Sequence, residues 1–262
     1  MRTACWNRSE KGDEVTKRNP CAAHRGWSSR APENTMAAIG LALSEPDIDW
    51  IEIDVQLSKD YVPVVIHDYK LRRTTNGKGK VNDWTAAELA MLDAGSWFSP
   101  LYRNEPIPTL EAVFQAAKGK CLLNVELKTD GVRYPLIEEQ VLQLIRRWEM
   151  ETGVVVTSFY AGALKNMSRL SGGSVRTGYI VDKWRDTLPA ELADTGSDFI
   201  SIDYRKLNKE RVSRLNAAGV QIMAWTVNEE KAIRKITALD SDIIICTNYP
   251  DRWRSAAAAA VR

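Results

Sequence analysis

Apolar positions along this chain follow two periods that take turns. Short apolar runs at Pro20-Cys21-Ala22-Ala23, Val64-Val65-Ile66-His67, Val154-Val155-Val156-Thr157-Ser158-Phe159 and Phe199-Ile200-Ser201-Ile202 read as strands. Two more runs alternate strictly: Trp50-Ile51-Glu52-Ile53-Asp54-Val55, and Cys121 to Lys128 with Asn124, Glu126 and Lys128 on one face. Thr177 to Ile180, Val220 to Trp225 and Asp242 to Cys246 bring the strand candidates to nine. Between them a 3.6-residue period predicts helices. One carries Ile137, Val141, Leu144, Ile145 and Trp148, and another carries Met36, Ile39 and Leu43 behind a cap at Asn34 or Thr35. Asn208 caps a helix with Val212 and Leu215 that Gly219 stops, and Asn228 is predicted to cap one with Ala232, Ile233, Ile236 and Leu239.

Strands alternating with helices predict an α/β fold with a parallel sheet and right-handed crossovers. At 262 residues the chain has room for two small domains or for one (β/α)8 TIM-type barrel. Two features strain the barrel. Nine strand candidates exceed eight, and only Gln56 to Val62 separates the second from the third, too short for a helical crossover. That link is either a bare return or the turn of a hairpin. Residues 69–108 read as an insertion after the third strand, with a capping box at Thr85-Ala86-Ala87-Glu88 opening a short helix that carries Leu89 and Leu92. Trp84, Trp97, Phe98 and Tyr102 in this stretch suit a small satellite core. The organisation expected is an N-terminal extension at 1–19, a barrel domain at 20–253 and a C-terminal tail at 254–262, with Ala256 to Ala260 ending a terminal helix.

Composition narrows the class. Apolar residues at 44% and charged residues at 27% are those of an ordinary globular protein. Lys and Arg number 36 against 34 Asp and Glu, so no polyanionic partner such as a nucleic acid is implied. The basic cluster Lys70, Arg72, Arg73, Lys78 and Lys80 reads as a solvated loop. Cys5, Cys21, Cys121 and Cys246 lack a Cys-x-x-Cys spacing, and three lie in or beside apolar runs, which suits buried, reduced thiols. Met1 to Asn19 has no apolar core of a signal peptide, and no uncharged stretch nears the ~20 residues of a membrane span. A cytoplasmic location is therefore expected, without stable membrane insertion; no oligomeric state is implied.

The chemistry gathers at strand ends. His24 and His67 are the only histidines, and each ends a strand-like run, so the two can serve as an acid and base pair. Glu52 with Asp54, and Glu126 with Lys128, project from single strand faces. Two acids on one face repel and resist desolvation unless a cation joins them. Glu52, Asp54 and Glu126 suit one hard divalent cation, Mg²⁺ or Ca²⁺, rather than zinc. Three carboxylates and a dication leave one negative charge. Arg25 and Lys128 reverse it, and a phosphodiester brings the total to zero.

In order along the chain, these residues and others resemble the glycerophosphodiester phosphodiesterase family, part of the barrel phosphodiesterases related to phosphatidylinositol-specific phospholipase C. The resemblance rests on His24-Arg25-Gly26, Pro32-Glu33-Asn34-Thr35, Glu52-Ile53-Asp54-Val55, Val65-Ile66-His67-Asp68, Asp93 to Phe98, Ile107 to Leu110, Glu126-Leu127-Lys128 and Ala224-Trp225-Thr226-Val227-Asn228. It implies that His24 and His67 are catalytic, that Glu52, Asp54 and Glu126 bind the metal, and that Arg25 and Lys128 contact phosphate. It also implies that Trp225 lies against the substrate and that the insertion overhangs the site. The function implied is hydrolysis of a glycerophosphodiester to glycerol 3-phosphate and an alcohol. A lysophospholipase D-like phosphodiesterase and a non-catalytic phosphate-ligand binding barrel are the alternatives. A glycosidase also uses paired carboxylates on a barrel, but it gives no reason for two histidines or for Glu126-x-Lys128.

Overall fold

A computed structural model of the protein describes residues 18–259. Cys5 and residues 1–17 of the expected extension lie outside the described residues, as do residues 260–262 of the expected tail. In chain order the strands are β1 (Cys21–His24), β2 (Trp50–Leu57), β3 (Pro63–Val65), β4 (Leu122–Leu127), β5 (Val154–Ser158), β6 (Arg176–Val181), β7 (Phe199–Asp203), β8 (Gln221–Trp225) and β9 (Ile244–Thr247). The helices are α1 (Met36–Leu43), α2 (Ala86–Ala90), α3 (Leu110–Ala117), α4 (Ile137–Arg147), α5 (Ala161–Ser171), α6 (Leu188–Thr195), α7 (Lys209–Ala217), α8 (Glu230–Thr237) and α9 (Pro250–Ala259).

Eight strands run parallel and close into a barrel, because β1 pairs with both β2 and β9. The ninth, β3, runs antiparallel to β2, with Val55 opposite Val65 and Leu57 opposite Pro63. This settles both strains on the barrel at once: the short link is the turn of a hairpin. β2 pairs with β1 as far as Glu52 and with β4 as far as Val55, then overshoots to Leu57 and folds back. Ser58 fastens the turn, its hydroxyl donating to Asp60 Oδ1 (2.6 Å) and accepting from the Val62 amide (2.9 Å). The hairpin thereby returns the chain to the rim at His67.

Side chains fill the barrel in layers. Ala22, Trp50, Val155, Phe199, Met223 and Ile244 make its floor, and the Trp50 and Phe199 rings meet at 5.9 Å. Above them Thr157 donates to Asn124 Oδ1 at 2.6 Å, satisfying two buried polar groups against each other. The opposite strand faces and the helices bury the main core, which runs from Ile39, Ile51 and Ile53 through Phe114 and Ile145 to Ile245 and Trp253. Helix α4 buries Ile137, Val141, Leu144 and Ile145 as their spacing predicts, with Glu138 and Glu139 in its first turn and Arg146 and Arg147 in its last, matching its dipole.

Thr35, not Asn34, caps α1 by accepting from the Ala38 amide, and Asn208 caps α7. The predicted cap at Asn228 is a correction. Helix α8 begins two residues later, while Asn228 Oδ1 accepts from the Asn248 amide at 2.9 Å and so ties the β8 loop to the end of β9. Within 69–108, Leu71, Val81, Leu89, Ala94 and Ile107 join Val64 and Ile66 in a separate apolar cluster with Trp84 packed against it. Of the aromatics expected to form this core, Trp97, Phe98 and Tyr102 lie outside it and stack edge-to-face on one another.

Candidate active site

Strand register assembles the site. In the parallel pairings His24 lies beside Glu52, and Asp54 beside Glu126. Adjacent strands stand about 4.8 Å apart, so residues sharing a face and a register level must meet. One oxygen from each of Glu52, Asp54 and Glu126 falls within 4.8 Å of the others. Glu52 and Asp54 are buried at 5% and 1% exposure. Burial, with the charges of Asp54 and Glu126, pushes the Glu52 carboxyl well above its ordinary range, and burial with Asp54 moves Glu126 up to about 7. Burial pushes Asp54 the same way, yet Arg25 and Lys128 hold it below its ordinary value. The three carboxylates, oxygen donors only and close to one another, fit a single hard dication.

Both expected phosphate contacts lean into this cluster. Arg25 Nε lies 3.2 Å from Asp54 Oδ2, and Nη1 donates to Glu33 Oε1 at 2.7 Å. Lys128, one residue past β4, donates from Nζ to Glu126 Oε1 at 2.7 Å and stands 3.6 Å from Asp54 Oδ1. Gly26 makes the Arg25 position possible. At φ +76° it takes a left-handed turn, and a Cβ there would stand 2.6 Å from the Ala38 carbonyl carbon of α1.

The two histidines flank the cluster in unlike settings. His24 Nδ1 meets Asn248 Oδ1 at 2.6 Å, and Ser28 Oγ donates to the same oxygen at 3.2 Å. That contact places the proton on Nδ1 and turns Nε2 toward Glu52, 3.7 Å away. Burial, reinforced by Arg25, moves the His24 imidazole down to about 4. His67 Nδ1 meets the Asp68 carboxylate at 2.7 Å, and burial lowers this ring too. A carboxylate only accepts, so Nδ1 carries the proton here as well.

The structure brings His24, Arg25, Glu52, His67, Glu126, Lys128 and Trp225 to one cavity of about 140 Å³ at the C-terminal mouth of the barrel. Asp54 joins through the carboxylate cluster. Trp225 packs edge-to-face on Phe159 at 6.1 Å, and its indole N–H is buried without a hydrogen-bond partner among the described residues. Residues 69–108 do not line this cavity; they reach the site through Arg73.

Several site residues escape a reading of the sequence. Asn34, taken for a helix cap, donates from Nδ2 to Asp54 Oδ2 at 2.8 Å and accepts from the Asp54 amide at 3.2 Å. Asn248, Asp68, Arg73 and Phe159 also lie here, as does Glu33, which the Pro32-Glu33-Asn34-Thr35 motif places within reach of the site. Two carry a usable signal: Asp68 directly follows His67, and Asn248 follows the last strand, where a barrel gathers its functional residues.

The chain is similar to known proteins in sequence and in fold. The sequence model of the glycerophosphoryl diester phosphodiesterase family matches residues 24–252. A glycerophosphodiester phosphodiesterase of Bacillus altitudinis is 39% identical over 88% of this chain and 94% of its own. One from Caldanaerobacter subterraneus subsp. tengcongensis is 36% identical over 87% of this chain and 93% of its own. Among solved structures, an Oleispira antarctica phosphodiesterase in complex with the product sn-glycerol-3-phosphate superposes with a TM-score of 0.83. It is 32% identical, and the match covers 90% of this chain and 96% of that one.

Proposed function

The chain belongs to the glycerophosphoryl diester phosphodiesterase family, and on that premise we propose that it hydrolyses glycerophosphodiesters to glycerol 3-phosphate and an alcohol, with one divalent cation and histidine acid–base catalysis. The observation that carries this reading is the convergence of two histidines, three carboxylates and two cations on one cavity. Glu52, Asp54 and Glu126 would hold Mg²⁺ or Ca²⁺, which supplies charge stabilisation to the phosphoryl oxygens.

The protein's own groups do the rest. Arg25 offers a planar fork to phosphate oxygens and Lys128 a point charge. Bound phosphodiester gives both a second anion beside the carboxylates they now face. Each histidine has Nδ1–H held by Asn248 or Asp68, so each presents Nε2 for proton transfer. One takes the proton of the nucleophile, water or the neighbouring glycerol hydroxyl. The other protonates the leaving alkoxide, which departs poorly without a proton. The Trp225 N–H, buried and unpartnered, is a donor for a substrate hydroxyl. The product bound to the Oleispira antarctica phosphodiesterase supports glycerol 3-phosphate as the product here.

A second reading has its own observation. Phe159 and Tyr160 are 48% and 42% exposed at the mouth, and Tyr160 packs over Gly131, next to Val132 at 84%. An apolar edge suits the acyl chain of a lysophospholipid. Among the described residues no helix is long and apolar enough to cross a membrane. The test is a substrate panel of glycerophosphocholine, glycerophosphoethanolamine, glycerophosphoglycerol and lysophosphatidylcholine, each with Mg²⁺, Ca²⁺ or EDTA. Turnover of a glycerophosphodiester that EDTA abolishes supports the proposal. Preference for lysophosphatidylcholine moves the assignment to the second reading, and no turnover with any cation rejects both.

A further inference from the structure

The basic run from Lys70 to Lys80 reads in sequence as a solvated loop, and Arg73 departs from that description. Its guanidinium serves two carboxylates at once. Nε and Nη2 donate to Asp68 Oδ2 and Oδ1 at 2.7 and 3.0 Å, while Nη1 and Nη2 donate to Glu33 Oε2 and Oε1 at 2.9 and 2.8 Å. Each carboxylate holds a site residue with the same oxygen: Asp68 Oδ1 meets His67 Nδ1, and Glu33 Oε1 accepts from Arg25 Nη1, both at 2.7 Å. An unbroken chain of contacts therefore runs from His67 through Asp68, Arg73 and Glu33 to Arg25. Arg73 itself does not line the cavity.

Its stability contribution does not explain this arrangement. The Arg73 side chain is 43% exposed, and ion pairs so exposed contribute about 0–1 kcal/mol. Geometry does. Two adjacent carboxylates repel, and only a planar fork with several fixed donors can hold both in one plane. Resting on the phosphodiesterase reading above, we propose that Arg73 is a positioning residue: by gripping Asp68 and Glu33 together it fixes the His67 ring and the Arg25 guanidinium relative to one another across the substrate phosphate. The insertion thus acts on the chemistry at a distance, through a clamp.

The test compares wild type with Arg73→Ala and Arg73→Lys on the best substrate of the panel, in the holoenzyme. Arg73→Ala should lose about 30- to 300-fold in kcat with KM within about threefold, since orientation and not binding is lost. Its Tm should stay within about 4 °C. Guanidinium ion at tens of millimolar should recover at least fivefold of the alanine variant's kcat and do nothing for wild type. Arg73→Lys should stay within threefold of the alanine variant, because an ammonium cannot bridge both carboxylates in their planes. Independently of turnover, ¹⁵N NMR should show the His67 ring as one Nδ1–H tautomer in wild type and a mixture in Arg73→Ala. Activity within threefold of wild type overturns the proposal, as does a rise in KM alone, which would make Arg73 a substrate contact. So does lost activity with a large fall in Tm and no guanidinium rescue. If wild type turns over no member of the panel, the functional reading fails, and the tautomer measurement still decides whether Arg73 positions His67.

Discussion

The mouth of this barrel has two unlike arcs. The ends of β9, β1, β2 and β4 present Asn248, His24, Glu52, Asp54, Glu126 and Lys128, whereas β5 to β8 offer the same cavity Phe159, Ile180, Ser201 and Trp225. In the first arc Asp54 is paired with Arg25, from the loop after β1, and with Lys128, while Glu126 takes Lys128 from the end of its own strand. A buried charge needs such a partner, so charges are tolerable only in company. In the second arc Asp203, which ends β7, is engaged by Arg205 at 2.7 Å and does not line the cavity. Under the proposed function, a phosphodiester would set its phosphate against the paired charges and its alcohol against the uncharged wall.

The largest effect should come from breaking the first arc. Glu52→Gln or Asp54→Asn, like EDTA on wild type, should cost about 10³-fold or more in activity, since metal stabilisation contributes several kcal/mol at 1.36 kcal/mol per decade. Initial rates against metal concentration check this, and full activity after exhaustive dialysis into EDTA would remove the metal from the account. Next, His24→Ala and His67→Ala should each lose about 10²- to 10⁴-fold on the natural substrate. On a p-nitrophenyl diester, whose leaving group needs no proton, only the variant lacking the base should lose as much. Losses under about tenfold for both histidines would end the acid–base assignment.

Sharpening the contrast takes the second arc. Phe159→Ala and Trp225→Phe should raise KM by about five- to thirtyfold, the value of 1–2 kcal/mol of lost contact, with kcat within about threefold. A kcat loss as deep as that of the histidine variants would erase the division between arcs. The smallest change expected is for Val132→Ser, under about twofold on glycerophosphocholine; a clearly larger loss on lysophosphatidylcholine would show that the exposed edge meets an acyl chain.

Much of the first arc was legible because strand period and strand ends are local properties. Alternation puts Glu52 with Asp54, and Glu126 with Lys128, on shared faces, and a barrel then gathers strand ends. The second arc has no such pattern: Phe159 and Ile180 look like any core residue. The orienting groups were hidden for another reason. Asn248 reaches His24 across 224 positions, and Arg73 reaches Glu33 across 40, so each pairing exists only after the barrel closes. Asn228 misled because an Asn before acidic residues signals a cap, yet the tertiary partner at Asn248 prevailed. Helices α3, α5 and α6 went unnamed although alternation required them. The α5 segment mixes small and polar residues, so its apolar stripe of Ala163, Leu164 and Met167 is faint.

The seam between β1 and β9 also sets a schedule for biosynthesis. Asn19 Nδ2 donates to the carbonyls of Asp240 and Ile243, both at 2.8 Å, Trp253 Nε1 donates to the Asn19 carbonyl at 3.2 Å, and His24 waits for Asn248. A nascent chain emerges from the ribosome at about 5–20 residues per second. At that pace Glu52, Asp54 and Glu126 are all out several seconds before Asn248, the partner of His24. During that interval the β1 edge that later pairs with β9 has no strand partner for its backbone groups. Under the proposed mechanism, catalytic competence would arrive as one late event rather than by degrees, since early β-strand segments depend on slow, non-local closure. Release of the last strand, not formation of the acidic cluster, is the moment at which this chain becomes an enzyme.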